Sequence, residues 1–501
     1  MTAPRVTPDD IHNRRLVQNL HPPDWINPTP SGRYNLVVIG AGTAGLVSSA
    51  GGAALGAKVA LIERHLMGGD CTNYGCVPSK AIIRSARAAY AVQEATSFGI
   101  SAQNNNQANF SCVMERMRRL RAQISANDSV ERFTKLGAEV YLGHATFVGK
   151  HEIEVNGRRL AFSKAIIATG ARAADLPGFQ EAGYLTNETI FSLEELPKTL
   201  LMIGGGPIGC ELAQTFRRFG SEVTLITRGK RLLPRDDADA AETLKRRFER
   251  EGIRLIFEAK LLRAGRENGI KEVMFDRGKG EEKVTACEIL LAVGRQPNLD
   301  GLNADAAGVK TDKSGVLVDD RLRTTNPDIY AAGDICSPYQ FTHAAEAMAR
   351  VAIQNALFFG TKRVSDLVIP WTTYTDPEVA HVGITEKEAA KRGGVVTFTK
   401  ELGDTDRAIL DGETEGYVRL YMEEKDGRIL GATIVGSHAG ESIGEAVLAI
   451  TQKLKVGDLS GVIHPYPTQA EAVKRAADLQ FRSRLKPWMR RLLEKYFRYR
   501  R

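Results

Sequence analysis

The stretch YNLVVIGAGTAGLVSSAGGAALGAKVALIE, residues 34–63, decides the fold. It opens with a short apolar run rich in β-branched residues, continues with small residues typical of a helix, and closes with a second apolar run. The order strand, helix, strand predicts the first unit of a doubly wound α/β sheet.

The turn between the first strand and the helix carries a GxGxxG motif made by Gly40, Gly42 and Gly45. Glycine permits the tight turn and lets backbone amides approach a pyrophosphate at the helix N-terminus. Glu63 ends the second strand, where its carboxylate can bind a ribose hydroxyl. A glycine motif alone indicates no more than a tight turn, but with the strand, the helix and the acid it predicts dinucleotide binding.

A second copy of this pattern, with Gly204, Gly206 and Gly209, follows about 160 residues later. Its second strand ends without an acid and is followed by Arg228 and Arg231. Cations suit the 2′-phosphate of NADP, whereas an acid suits the 2′-hydroxyl of NAD. The sequence therefore favours NADPH over NADH. The alternative is that these arginines form an ordinary solvated basic face.

The composition is that of a multidomain globular protein of 501 residues, 43% of them hydrophobic. The sequence has no uninterrupted apolar run of about 18 residues, and its first residues include acids where a signal peptide would need an apolar core. We therefore expect a cytoplasmic protein. The formal charge of +8 arises entirely from residues 482–501, so a diffuse nucleic-acid-binding surface is excluded.

Residues 68–80 read GGDCTNYGCVPSK and place Cys71 and Cys76 five positions apart, beside Lys80. The pair can be a structural bridge, half of a metal site or a redox pair. A zinc site would need further Cys or His ligands nearby in sequence, so no metal site is predicted. At a helix start, the dipole and the lysine would both lower a thiolate pKa, which predicts a reactive dithiol. The remaining cysteines are predicted to be ordinary buried residues: Cys112, Cys210, Cys287 and Cys336.

Further motifs follow in order along the chain: IIATGA at 166–171, LLAVGRQPN at 290–298, IYAAGDI at 329–335 and YTDPEVAHVGITEKEA at 374–389. Together with the glycine motifs and the cysteine pair, they resemble the pyridine nucleotide–disulfide oxidoreductases over roughly residues 34–480. The resemblance implies FAD at the first nucleotide site and NADP at the second, with NAD as the alternative. It also implies a homodimer formed by the C-terminal domain.

The resemblance assigns roles to residues around the flavin. Asp334 would meet the ribityl or phosphate region of FAD, and Thr169 and Gly170 mark the strand of the FAD domain that ends near the linker. Lys80 would lie beside flavin N5 and pair with Glu211. A fixed cation there suits the anionic reduced flavin.

The resemblance also assigns the two thiols. Cys76 faces the flavin and forms the charge-transfer thiolate, and Cys71 exchanges with the substrate. Electrons then pass from NADPH through FAD to the dithiol and on to a small acceptor.

The nature of the acceptor depends on the segment IHPYPTQAEAVK, residues 463–474. Most disulfide reductases of the family carry an acid/base histidine there, but alignment on Glu471 places Tyr466 at this position and His464 two residues before it. A phenol with a pKa of about 10 is a poorer proton carrier at neutral pH than an imidazole, although His464 can substitute through a shifted loop. Tyrosine is a feature of the mercuric reductases in the family, so the chain resembles a mercuric reductase-like member that reduces a metal ion.

Other acceptors stay open at this point. Mercuric reductases receive the ion through a vicinal cysteine pair near their C-terminus, and this chain has no cysteine after Cys336. Another metal ion, a quinone and a low-molecular-weight disulfide are the alternatives. A redox module docked on a membrane and a redox sensor are alternatives of another class.

The C-terminal residues 484–501, RLKPWMRRLLEKYFRYRR, predict an amphipathic basic helix. Trp488, Leu492 and Tyr496 recur every four residues with apolar neighbours, and Arg or Lys fill most other positions. One interpretation is peripheral attachment to an anionic membrane at its inner face. The other is that the apolar stripe packs on the enzyme's own dimer and the charges are solvated.

The sequence thus predicts an α/β fold with two Rossmann-like dinucleotide-binding domains, for FAD and NAD(P), and a C-terminal α+β dimerisation domain. The predicted segments are an extended, proline-rich N-terminal extension at 1–33, the FAD domain at 34–187 and 301–365, the NAD(P) domain at 188–300, the dimerisation domain at 366–483 and the basic tail at 484–501.

Overall fold

The structure is a computed structural model that describes residues 4–101, 108–484 and 487–501, of which 482–484 are described by their backbone alone. The chain separates into two compact units. The first unit comprises Met1–Gly204, Leu212–Arg228 and Gly252–Leu367, and the second comprises Gly205–Glu211, Gly229–Glu251 and Val368–Arg501.

The helices are numbered in chain order over the described residues. They are α1 (Ile11–Leu20), α2 (Thr43–Ala54), α3 (Gly69–Asn73), α4 (Cys76–Gln93), α5 (Phe110–Ile124), α6 (Val130–Lys135), α7 (Pro207–Phe219), α8 (Ala238–Arg250), α9 (Thr342–Leu357), α10 (Glu386–Arg392), α11 (Asp406–Asp411), α12 (Ala439–Thr451), α13 (Val456–Ser460), α14 (Glu471–Arg484) and α15 (Pro487–Tyr499). In the described part of the chain, no helix is long and apolar enough to cross a membrane.

The strands are numbered in the same way. They are β1 (Tyr34–Ile39), β2 (Val59–Glu63), β3 (Ala138–Leu142), β4 (Ala145–Gly149), β5 (Glu152–Val155), β6 (Arg158–Ile167), β7 (Ala171–Ala173), β8 (Thr199–Ile203), β9 (Glu222–Ile226), β10 (Arg254–Ile256), β11 (Lys260–Glu267), β12 (Ile270–Asp276), β13 (Glu281–Ala286), β14 (Glu288–Leu291), β15 (Arg295–Pro297), β16 (Thr311–Asp312), β17 (Gly315–Val316), β18 (Ile329–Ala331), β19 (Trp371–Thr373), β20 (Glu378–Gly383), β21 (Val395–Glu401), β22 (Tyr417–Glu423) and β23 (Ile429–Gly436).

The main sheet of the first unit has seven strands, and its parallel part has the order β3-β2-β1-β6-β18. Its register sets Val37 between Ala60 on β2 and Ala165 on β6. Apolar side chains cover both faces in two buried clusters, which is why β1 and β2 read as nearly continuous apolar runs. The predicted strand, helix, strand order at 34–63 is confirmed.

Two glycines allow α2 to pack closely against β1. Gly40 has a φ of +99°, and a Cβ there would stand 2.4 Å from the carbonyl oxygen of Ala168. A Cβ on Gly45 would stand 1.7 Å from the carbonyl oxygen of Gly40. No side chain fits at either position, so the motif is required for the close packing of helix and strand.

A second parallel sheet of the first unit has the order β10-β9-β8-β14. Strands β11, β12 and β13, which lie between β10 and β14 in the chain, form an antiparallel sheet. Helix α7 follows β8, as the second glycine motif predicts. A Cβ on Gly204 (φ +118°) would stand 2.2 Å from the carbonyl oxygen of Ala292, so this turn repeats the steric demand of the first.

The second unit contains an antiparallel sheet of order β19-β20-β23-β22-β21. Strands β22 and β23 lie at the alternating segments GYVRLYM and RILGATIVG, and α12 lies at SIGEAVLAITQKL. Alanines and branched aliphatic side chains from the sheet, α12 and α14 form one buried cluster. The predicted α+β character of this region is confirmed.

The N-terminal extension is partly helical, against the prediction of an extended arm. Asp10 caps α1 by accepting from the amide of Asn13 at 2.7 Å, and Leu16 and Leu20 are fully buried against the first unit. The prolines that suggested an extended arm come after this helix. Residues 22–33 carry no helix or strand, so the prediction is right for them and wrong for α1.

An acidic stretch ties residues 229–251 to the five-stranded sheet within the second unit. The indole of Trp371 donates to Asp236 at 2.8 Å, and the hydroxyl of Thr433 donates to Asp237 at 2.7 Å. Asp236 is 4% exposed, and its burial, reinforced by the charge of Asp237, raises its pKa to about 6 although the Trp371 bond opposes this.

Asp236→Asn is expected to stabilise the protein above the pKa of Asp236. The folded pKa lies above the ordinary 3.8, so the cost of the buried charge is present at pH 8 and disappears as the pH falls through 6 toward 4. An amide oxygen can still accept from Trp371. We expect the free energy of unfolding to rise by about 1–3 kcal/mol at pH 8 and by little at pH 4, in urea unfolding followed by tryptophan fluorescence.

Asp312→Asn is the control, because Asp312 is exposed and its pKa is lowered by its bonds to Ser314. It should give no gain at pH 8. A gain for Asp236→Asn of equal size at both pH values would contradict the assignment.

Candidate active site

The two cysteines of residues 68–80 lie at the start of successive helices. Cys71 lies in α3 and is half-buried, and Cys76 is the first residue of α4 and is exposed; both are free thiols. The chain enters α3 at Gly69, which has a φ of +58° and where a Cβ would stand 2.5 Å from the Cα of Gly42. The cysteine pair is therefore packed directly on the first glycine motif.

The pKa of Cys71 lies well above its usual range. The hydrogen bond with Cys76 and the burial of Cys71 are the main causes, and the charge on Cys76 adds to them. The predicted lowering by the helix dipole and Lys80 is therefore wrong for Cys71. Removing its proton would place two like charges side by side, so the pair favours at most one thiolate.

Thr342 is a neighbour of the pair that sequence reasoning missed. It is the first residue of α9, its Oγ1 lies 3.5 Å from Cys76 Sγ, and its hydroxyl lowers the pKa of Cys71. Its position after IYAAGDI, at the opening of an alanine-rich helix, was available as a signal. Nothing local indicated that it meets a cysteine 266 residues away.

A buried guanidinium connects the cysteine segment to the IYAAGDI motif. Arg295 Nη2 donates to Asp70 at 2.8 Å, and its Nε lies 3.4 Å from Asp334. Asn187 donates to the other oxygen of Asp70 at 2.8 Å. Burial lowers the pKa of Arg295, but the two carboxylates outweigh it and raise the pKa above its ordinary value, which keeps the cation charged.

The segment at the predicted acid/base position belongs to the second unit. The hydroxyl of Tyr466 donates to Asp406 at 2.7 Å, and this bond is the main reason why the pKa of Tyr466 is raised. His464 Nε2 lies 3.0 Å from Glu445, with an imidazole that is 8% exposed. Glu471 begins α14 and accepts from Arg475 at 3.0 Å.

A small cavity of about 50 Å³ opens beside the first glycine motif. Its lining includes Gly40, Glu63, Thr169 and Asn298. The Glu63 oxygens already accept from the amides of Ala41 at 2.7 Å and His65 at 2.8 Å. A carboxylate has about four acceptor directions, so the predicted bond to a ribose hydroxyl stays a prediction that the geometry accommodates.

The two glycine motifs differ at their middle glycine: a Cβ on Gly42 would contact Gly69 at 3.7 Å, whereas Gly206 faces open space. A Cβ on Gly206 would have no neighbour within 4 Å, and Gly209 lies in the first turn of α7. Arg228 is exposed. Arg231 instead donates to the carbonyl of Asp236 at 2.9 Å and to that of Pro234 at 3.2 Å, so part of its predicted phosphate-binding capacity is already used.

Two family models match the chain. The model described as pyridine nucleotide-disulphide oxidoreductase matches residues 34–349, and the dimerisation domain of the same family matches residues 369–477. The chain belongs to the pyridine nucleotide-disulphide oxidoreductase family.

Similar proteins within the family include enzymes with different acceptors. A mercuric reductase of Bacillus cereus is 36% identical over 447 residues, covering 88% of this chain and 71% of the relative. A dihydrolipoyl dehydrogenase of Thermus scotoductus is 35% identical over 456 residues, covering 89% and 97%. The solved structure of a Cu(II) complex of the HOCl-induced flavoprotein disulfide reductase RclA from Escherichia coli matches with a TM-score of 0.80 and 26% identity, covering 90% of this chain and 100% of that one.

Members of the family bind FAD and use NAD(P)H. The residues present at the first glycine motif fit a dinucleotide, because the turn excludes side chains and the lining of the adjacent cavity includes polar groups such as Glu63 and Thr169 beside apolar side chains. The backbone at Gly42 would face the pyrophosphate, while Gly40 and Gly45 permit the turn and the close packing of α2. Asp334 lies on the same unit, and its pKa is raised by burial and by Asp70 against the opposing charge of Arg295.

Thr169 and Gly170 connect the end of β6 to the 290–298 motif, and their predicted place in the FAD-binding part stays a prediction. Thr169 Oγ1 donates to the carbonyl of Asn298 at 2.9 Å, and the amide of Asn298 in turn donates to the carbonyl of Gly170 at 3.0 Å. Strand β15 pairs antiparallel with β7 directly beside these bonds. The two residues therefore fix the end of β6 to the segment around Asn298.

Lys80 lies on α4 one helical turn after Cys76 and is half-buried. Glu211, on α7, is buried and accepts from the amide of Tyr374 at 2.9 Å. The predicted pairing of Lys80 with Glu211 and the predicted place of Lys80 at flavin N5 stay predictions. Cys112 is exposed, so the prediction that it is buried is wrong, whereas Cys210 is buried as predicted.

A hydrogen-bonded brace from the N-terminal extension supports the cysteine segment. Arg121 on α5 is 2% exposed and donates to the carbonyl of Asn73 at 2.8 Å and to Asn13 Oδ1 at 2.7 Å. The amide of Met67 donates to the carbonyl of Leu20 at 3.2 Å. Helix α1 thus reaches the segment through one side chain and one direct backbone bond.

Thr342→Val is expected to reduce the reactivity of the pair, because it removes the hydroxyl at nearly constant volume. The loss of one hydrogen bond should lower the alkylation rate of the reduced protein with iodoacetamide at pH 7 by about three- to tenfold, and the midpoint of its pH profile should move upward. The measurement uses a Cys112→Ser background, which removes the other exposed thiol.

Thr342→Ser is the matched variant for this measurement. It keeps the hydroxyl and should retain most of the rate. If the Ser and Val variants alkylate equally slowly, packing and not the hydroxyl controls the thiols.

Proposed function

We propose that this flavoprotein uses NADPH to reduce a thiophilic metal ion, Hg(II) or Cu(II), through Cys71 and Cys76. The observation that carries the proposal is the hydrogen bond of Tyr466, which stands at the acid/base position by alignment and whose hydroxyl donates to Asp406 at 2.7 Å. The raised pKa makes this phenol a weaker acid, so it is a poor proton donor at neutral pH and, being neutral, cannot act as a base either.

The proton requirement separates the two classes of acceptor. Cleaving a disulfide substrate releases a thiolate that a nearby acid must protonate, whereas a metal ion accepts electrons without a proton. His464 is the alternative acid, but its imidazole is nearly buried and lies 3.0 Å from Glu445. The segment therefore favours an acceptor that needs no acid/base catalysis.

The cysteine pair suits a soft metal ion. Two thiols lie together, Cys76 is exposed, and thiolates are the preferred ligands of soft ions. Among the similar proteins, four are named mercuric reductase with 34–36% identity, and RclA is described in complex with Cu(II). These likenesses support a metal ion without distinguishing the two.

The reaction balances for both ions. NADPH and Hg(II) give NADP⁺, H⁺ and Hg(0), whereas NADPH and two Cu(II) give NADP⁺, H⁺ and two Cu(I). FAD, when bound, supplies two-electron exchange between the nicotinamide and the cysteine pair.

In this proposal Cys76 is the thiol on the flavin side, Cys71 meets the acceptor, and Lys80 fixes a positive charge near the flavin. The dimerisation domain supports a homodimer as the working form.

The acceptor is tested by NADPH oxidation of the FAD-loaded enzyme with Hg(II), Cu(II), quinones and low-molecular-weight disulfides, Hg(II) being supplied as a thiol complex and Cu(II) as a glycine chelate free of thiols. We expect the highest kcat/KM with a metal ion and a loss of at least about 100-fold in Cys71→Ser and Cys76→Ser. Cys112→Ser removes an exposed thiol outside the pair and should not change the rate.

Two results would refute the metal-ion proposal. One is a disulfide or quinone that turns over faster than either ion. The other is turnover of the metal ion that survives Cys71→Ser unchanged.

The nicotinamide preference is tested at Arg228, the exposed cation after β9. If it binds the 2′-phosphate, Arg228→Ala should lower kcat/KM for NADPH by about 10- to 100-fold and leave the value for NADH nearly unchanged. Arg263→Ala, at an exposed arginine paired with Glu281, is the matched control. An equal loss with both nucleotides, or a wild-type preference for NADH, would contradict the assignment.

A further inference from the structure

The C-terminal helix α15, Pro487–Tyr499, presents a complete apolar face to solvent. None of its side chains is buried, and Trp488 is 62% exposed. Leu492, Tyr496 and Phe497 are exposed by 61%, 48% and 57%. At 100° per residue these side chains, with Met489 and Leu493, lie on one half of the helix surface.

Arg490, Arg491, Lys495 and Arg498 occupy the other half, while Arg500, which follows the helix, lies over the Tyr496 ring. Residues 487–501 carry six Arg or Lys and one acid, Glu494, which pairs with Arg490 at 3.4 Å. Since residues 482–501 account for the whole net charge of the chain, this charge is concentrated on one short segment. A hydrophobic face beside a cationic face is the pattern of helices that lie in the headgroup region of a bilayer.

The position of the helix in the chain argues against a role in the subunit interface. The family's dimerisation domain matches residues 369–477 and ends before α15 begins. Packing on a second copy would account for the apolar side chains and leave the opposite face solvated, but it would not require that the charges of that face be almost all positive.

We infer that α15 docks the enzyme on an anionic lipid bilayer. The apolar face enters the boundary between headgroups and acyl chains, with the Trp488 and Tyr496 rings at the depth that amphipathic aromatic side chains prefer. The cations of the opposite face bind lipid phosphates, so the attachment depends on anionic lipid and weakens with salt. The helix lies along the surface, since 13 residues are too few to span a bilayer.

The test is co-sedimentation of the full, FAD-loaded chain with phosphatidylcholine vesicles that contain either no anionic lipid or about 30% phosphatidylglycerol. We expect binding to the anionic vesicles alone, with at least a tenfold weaker affinity at 0.5 M than at 0.1 M salt, about a twofold shorter screening length. The double variant Trp488→Ser/Phe497→Ser and the double variant Arg490→Gln/Arg491→Gln should each reduce binding more than tenfold. Arg266→Gln/Lys279→Gln, which removes two exposed cations elsewhere, should bind as the wild type does.

Tryptophan emission gives a second readout. The indole groups of Trp25 and Trp371 are bonded inside the protein at 3.2 Å and 2.8 Å, whereas that of Trp488 is exposed. A blue shift on adding anionic vesicles, absent in Trp488→Phe, places this residue in the lipid. NADPH oxidation without vesicles should be unchanged in every α15 variant, which separates this inference from the proposed function.

The oligomeric state tests the alternative, in which the apolar face of α15 packs on a second copy of the chain. If the apolar face packs on a second copy, Trp488→Ser/Phe497→Ser will shift the dimer to monomers in light scattering, and the wild type will not bind anionic vesicles. Either equal binding to neutral and anionic vesicles or no binding at all would overturn the inference.

Discussion

The active site depends on one buried positive charge. A guanidinium removed from water is tolerated only where carboxylates compensate it, and Arg295 meets this requirement with Asp70 on one side and Asp334 on the other. Asp70 precedes Cys71, while Asp334 lies on the return of the chain after β18, next to the FAD-binding turn. A single side chain therefore fixes the distance between the thiols and the cofactor region. Loss of either carboxylate would leave Arg295 paired with the other alone.

The chemistry of the thiols follows from their closeness to each other more than from the helix on which they stand. Cys71 is held protonated by its bond with Cys76 and by burial, and the hydroxyl of Thr342 opposes this only in part. When the pair carries one negative charge, one sulfur is a nucleophilic thiolate and the other is a thiol that donates a hydrogen bond to it. The helix dipole acts on the pair as a whole, whereas the sharing of the proton decides which sulfur is charged.

Much of the fold could be predicted because its signals are local. The runs at 34–39 and 59–63 and the glycines between them specify strand, turn and helix within 30 residues, and Gly40 and Gly45 can be read as a steric requirement without any coordinates. The cysteine pair could be found in the same way. Thr342, Arg295 and Arg121 could not, because each acts through a contact with a residue 266, 225 or 48 positions away that only the folded chain creates. The sign of the Cys71 pKa shift was mispredicted because burial and a neighbouring thiol outweighed the dipole.

The N-terminal helix gives this chain a means of adjustment outside the part that it shares with its family. The family match begins at residue 34, yet Asn13 reaches the carbonyl of Asn73 through Arg121, two residues beyond Cys71. The backbone that carries the cysteines is therefore supported by α1, which lies outside the residues that match the family. Substitutions in α1 can change the support of the backbone beside Cys71 while every residue of the family match stays the same.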